Sequence, residues 1–209
     1  MSIRSLSLPP ALILLAAAMV VPGTLYFASL RPGYSHISNT ISELGETGAP
    51  RARLVAYGFF LPVGLMVWLA LWLIHHGRPN ASGILLALSC LGTGYVVAAF
   101  APCDPGGPLF GSWRTLVHNF AGVIDYGGTA VGFLLLARRC ATNGAAIQGA
   151  GFVVAGTVCL ACLVLLLPVF SIRGGVQRFA EGVQFTGVFF ACLLLAKELP
   201  PNVASWAAS

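Results

Sequence analysis

The side chains here that could do chemistry are few, and most are ionisable groups set among apolar neighbours. His118 and Asp125 stand seven residues apart, so they share one face of a helix with about 10 Å of rise between them. They cannot touch, and water, a ligand or another helix must lie between or beside them. Asn119 follows His118. Gln177 and Glu181 are one turn apart, and Arg178 and Glu181 have the spacing of a helical ion pair. Asp125 lies about twelve residues into its apolar run, near the middle of a bilayer. An ionised carboxylate facing lipid there costs about 3 kcal/mol or more, so it should face the interior, paired, hydrated or protonated. Glu43, Asp104 and Glu181 could bind a cation or act as acid and base, with His118 as base or ligand and Ser42 as nucleophile.

The elements that position these groups follow from composition. Only 8% of the 209 residues are charged and 57% are hydrophobic, with a mean hydropathy of +0.88. A water-facing surface usually needs about a quarter charged residues. Lipid must therefore replace water over most of this surface. Six apolar runs, near 8–30, 52–76, 81–102, 114–137, 148–171 and 177–197, are long enough to cross a hydrocarbon core. They lack the period-two alternation of barrel strands, which predicts an all-α six-transmembrane-helix bundle over residues 1–209, one domain. The first run is too long for a signal-peptide core and is expected to persist as a helix of the mature protein. Pro50 suits the first turn of the second helix, Ser112 suits the cap of the fourth, and Pro62 and Pro168 predict kinks. Gly128 and Gly132 have the spacing that lets membrane helices approach closely.

Six crossings put both termini on one face. The opposite face, the loop face, carries the longest link, in which Ile37, Ile41 and Leu44 precede Gly45. That spacing predicts a short amphipathic helix with a glycine stop and a polar side of Asn39, Ser42 and Glu43. Counting Lys and Arg, the terminal face has Arg4, Arg78, Arg138, Arg139 and Lys197. The loop face has Arg31, Arg51, Arg53, Arg114, Arg173 and Arg178. Five against six does not orient the protein, but the second set has more acidic neighbours, which favours cytoplasmic termini. The basic residues form no stripe, so nucleic acid is excluded as a partner. Cys159 and Cys162 sit in an apolar helix as packing residues, and His75-His76 point about 100° apart, which suits no shared metal.

The strings Tyr34-Ser-His36-Ile-Ser-Asn39-Thr-Ile-Ser42-Glu43-Leu44-Gly45, Pro102-Cys-Asp104, His118 and Gly175-Val-Gln177-Arg178-Phe-Ala-Glu181 resemble a family of small prokaryotic membrane proteins. That family is catalogued as domain of unknown function 998. The resemblance spans nearly the whole chain and implies a bundle of about six helices with no agreed activity or cofactor. Asp125 and Cys103 fall outside the shared pattern.

Three readings remain. A membrane hydrolase would use His118 with Glu43, Asp104 or Glu181, although neither HExxH nor GxSxG is present. A small proton-linked transporter would use Asp125, although six helices show no inverted repeat. A binding protein needs the least extra chemistry and ranks first. Its polar pocket on the loop face would hold a lipid head group or small amphiphile, with Arg173 or Arg178 meeting phosphate. Tyr34, His36, Asn39, Ser42, Glu43, Asp104, His118, Asn119, Asp125, Arg173, Gln177, Arg178 and Glu181 would line it. Membrane lipids are the expected partners, in the cell membrane, and self-association is open.

Overall fold

The computed structural model describes residues 8–197, so Arg4 and Glu198 lie outside the described residues. Among the described residues six helices are long and apolar enough to cross a membrane: α1 (Leu8–Ser29), α2 (Ala52–Gly77), α3 (Ser82–Phe100), α4 (Trp113–Thr142), α5 (Ala146–Leu165) and α6 (Arg173–Lys197). This is a multi-pass membrane protein. Each helix packs on its successor, and α6 closes the ring against α1 while touching α2 and α4 from inside. Sequential packing follows from the short links on the terminal face and from antiparallel neighbours.

Much of the ring's interior is apolar. Ile13, Val63, Val67, Leu88, Leu91, Phe133, Leu136, Val188 and Leu195 are fully buried. Outward stand Leu14, Val21, Trp72, Leu86, Phe120, Val154 and Phe190, all well exposed. Exposed apolar surface on this scale is a liability in water and the normal state against lipid. Glycines set the tightest crossings. A Cβ at Gly64 of α2 would lie 2.7 Å from the Gly92 carbonyl oxygen of α3, and one at Gly132 of α4 would lie 2.7 Å from the Leu88 side chain. Gly128 meets Cys90 just as closely, so the small-residue spacing on α4 marks its seam with α3.

Two local expectations change and one gains detail. Pro62 lies within α2, and the turn before it is a π turn, Ala56–Phe60. The carbonyl that the proline ring would strike belongs to Gly58, so widening that turn absorbs the clash. α5 ends at Leu165 rather than near 171, and Pro168 lies in the link beyond it. The residue before a proline avoids helical backbone, so Pro168 stops this helix instead of kinking it. In the first link only Ser42–Gly45 is helical, one 3-10 turn. Ile41 and Leu44 are buried there while Ile37 is 60% exposed. Side chains divert the amides a longer helix would need: Asn39 Oδ1 accepts from Ser35 N, Ser35 Oγ from Ile37 N, and Glu43 Oε1 from Thr40 N.

Gly64→Ala should lower stability by about 1–3 kcal/mol, the usual range for overpacking, read from thermal unfolding in detergent. Gly83→Ala meets nothing within 4 Å and should leave the transition unchanged or slightly raised.

Candidate functional site

The loop face is closed by residues 30–51, and that segment is held by buried charge. Glu43 has no exposure. Its Oε1 accepts from Thr40 N and Thr40 Oγ1, both at 3.0 Å, and from Arg173 at 2.9 Å; its Oε2 accepts from Asn39 Nδ2 at 2.6 Å. Four donors saturate the carboxylate. Arg173 also donates to the carbonyls of Gly106 and Gly107, at 2.5 and 3.0 Å. Arg31 spans the Glu43 carbonyl and Glu46 Oε1, and the other Glu46 oxygen accepts from Gly106 N at 2.8 Å. One network therefore ties the first link, the turn after α3 and the start of α6.

The first turns of α6 complete the clamp. Gln177 Oε1 accepts from Ile41 N at 2.6 Å, and Gly175 N donates to the Ile37 carbonyl at 2.8 Å. Arg178 donates to the carbonyls of Asn39 and Gly174 and to Tyr34 Oη, whose own proton goes to the Thr40 carbonyl. Gly174 packs directly on the Asn39 backbone, where a Cβ would collide. Burial pushes the Tyr34 phenol up from its ordinary value, against the pull of Arg178. The helical spacing that suggested an Arg178–Glu181 pair is not used: Arg178 turns toward the link and Glu181 turns inward.

Asp104 does not join these groups. It accepts from Ser112 N at 2.7 Å and Ser112 Oγ at 2.9 Å, bracing the entry to α4. Ser112 in turn caps the helix through Thr115 N. These hydrogen bonds hold the Asp104 carboxyl below the usual carboxylate range. Burial, with Glu46 and Glu43 nearby, pushes the Cys103 thiol up to about 12. His118 Nδ1 lies 2.9 Å from the Ala101 carbonyl, which can only accept, so the ring proton sits on Nδ1. Asn119 donates to the carbonyls of Pro108 and Leu109. His118 is thus anchored by backbone and pairs with no carboxylate among the described residues.

Deeper in the ring lies a second polar group. Glu181, 4% exposed, accepts from Tyr95 Oη at 2.8 Å and Tyr126 Oη at 3.2 Å. Asp125, 5% exposed, accepts from Gln184 Nε2 at 2.8 Å. A cavity of about 60 Å³ is lined by Asp125, Glu181, Tyr95, Tyr126, His118, Gln177 and Ser42. It abuts a crevice of about 170 Å³ bounded by Thr40, Cys103, Pro108, Asn119, Leu167 and Arg173. On the lipid side, a groove of about 520 Å³ runs between α1 and α6 from Ile13 and Phe189 up to His36 and Arg178.

Comparison with protein families gives one match: the family described as "Protein of unknown function (DUF998)" covers residues 14–194. The chain belongs to it. Comparisons with curated proteins and with solved structures give no match. Within this DUF998 chain, the structure brings His118, Asp125, Gln177 and Glu181, four of the residues singled out by spacing, to one cavity. Spacing missed Arg31, Thr40 and Glu46, which build the clamp, and Tyr95, Tyr126 and Gln184, which hold the inner carboxylates. Gln184 was the findable one, one turn beyond Glu181 on the same helix.

Arg173→Ala should cost about 3–5 kcal/mol by leaving a buried carboxylate without its cation, and adding Glu43→Gln should recover part of that. Strictly additive denaturation midpoints would refute the coupling. Because the Asp104 carboxyl is lowered, its contribution is present above the usual carboxylate range and lost as pH falls through the folded value. Asp104→Asn should therefore flatten the acid limb of a stability-versus-pH curve.

Proposed function

We propose that this protein binds a membrane amphiphile with an anionic head, its chain along the α1–α6 groove and its head at Arg178 and His36. The carrying observation is the distribution of the lining. Ile13, Leu14, Val20, Val21, Leu25, Phe185 and Phe189 make the long wall, while His36, Arg178 and Glu181 gather at its loop-face end. Apolar length with polar groups at one end matches an amphiphile, and the groove opens laterally to lipid, where such a molecule already resides. Arg178 lines the groove beside His36, and its guanidinium charge would favour a phosphate or carboxylate there.

The hydrolase reading is less favoured, because Glu43 is saturated, Asp104 braces α4 and His118 bonds to backbone, while Glu181, which shares the chamber with His118, is held by two tyrosines.

Val21 is 63% exposed and lines the groove. Val21→Trp should fill it and reduce anionic lipid retained through purification by severalfold, measured by mass spectrometry of extracted lipid, with the unfolding temperature unchanged. Undiminished retention in a folded variant would overturn the assignment. Arg178→Ala should reduce retention too, but with a lower unfolding temperature, because it also frees Tyr34 and Asn39.

A further inference from the structure

The chamber between Asp125 and Glu181 has a charge imbalance that the groove does not explain. Both carboxylates line it, and no Lys or Arg does. Their bonded partners, Gln184, Tyr95 and Tyr126, are all neutral. One Asp125 oxygen is taken by Gln184, and the other accepts no hydrogen bond among the described residues. That second oxygen packs against Gly94, which also lines the chamber, and a Cβ there would collide with it. The side chain is 5% exposed, so this is an unpartnered acceptor held inside the membrane region. A cavity needs roughly 10–15 Å³ of water-accessible space per water molecule; at about 60 Å³ the chamber has room for several. Two negative charges with no cation at this depth are too costly to stand uncompensated.

From this geometry we propose that the chamber holds monovalent positive charge, protons or an alkali cation, exchanged with the solution at the loop face. Ser42, His118, Gly122, Tyr126 and Gln177 line both the chamber and the outer crevice, so the route in passes His118. Toward the terminal face the way is shut by Phe133, Leu136, Val188 and Leu195, all buried. Access from one side makes this an exchange site within the fold. Among the described residues no three His, Cys, Asp or Glu side chains gather as metal ligands, which favours monovalent charge over a multivalent ion. The titratable groups facing the pair are Tyr95 and Cys90 of α3, His118 and Tyr126 of α4, and Cys159 of α5. Phe60 of α2 and Ile41 and Ser42 of the first link add none.

Infrared difference spectroscopy on the full chain in lipid nanodiscs tests the site through its carboxyl bands. Two steps are compared: a pH step at fixed sodium, and a sodium-for-choline step at fixed pH. If the charge is a proton, the pH step moves a carboxylic-acid band that is lost in Asp125→Asn, Glu181→Gln or both. If it is an alkali cation, the sodium step moves carboxylate bands that are lost in the same variants. Thermal unfolding shows which variants are folded, and the two single amides decide if the double one is not. Should neither step produce a change that either folded single variant removes, the proposal is overturned. Val21→Trp leaves this chamber untouched, so failure of the groove reading and failure of this one are separable.

Discussion

A carboxylate withdrawn from water must find donors or positive charge, and that constraint organises this molecule. Glu43 meets it completely, with backbone, hydroxyl, amide and guanidinium donors converging on two oxygens. Because those donors come from the first link and from the start of α6, satisfying one side chain fixes the position of both. Glu46 repeats the device between Arg31 and the turn after α3. The cap over the ring is therefore set by buried electrostatics more than by apolar packing, of which it has little beyond Ile41 and Leu44. Such a network is fully formed or badly destabilising, since breaking one member strands another.

α6 is the element on which the two polar layers meet. Its first turns hold the cap through Arg173, Gln177 and Arg178, and its next turns carry Glu181 and Gln184 into the interior. It also closes the ring against α1, and the seam is loose enough to leave the lateral groove. A ligand in that groove would lie against the helix that positions both the clamp and the inner carboxylates. Glu181 lines groove and chamber alike, so α6 gives the two spaces a shared wall.

Much of the fold was legible in the residues. Six runs of hydrocarbon-spanning length appear as six helices because an apolar segment in lipid has to satisfy its own backbone, and a helix does so locally. The depth of Asp125 and the shared face of His118 and Asp125 follow from helical rise and need no tertiary knowledge. Ser112 announces its cap through its type and its place before an apolar run.

Partnership is what sequence could not decide. Arg178 and Glu181 are spaced for each other, yet Tyr34 and the Asn39 carbonyl draw the arginine outward while Tyr95 and Tyr126 hold the glutamate inward. Each of those competing partners is more than fifty residues away in the chain, so local periodicity carries no trace of them. The same reason separates Glu43, which looked like the polar side of a surface helix, from its real place under the cap. Sequence by itself determined that this chain lives in a membrane, how many times it crosses and which side chains would be expensive there. Only the tertiary structure decided which of those charges are spent on one another and which are left facing open space, because that depends on long-range contacts formed when α6 closes the ring.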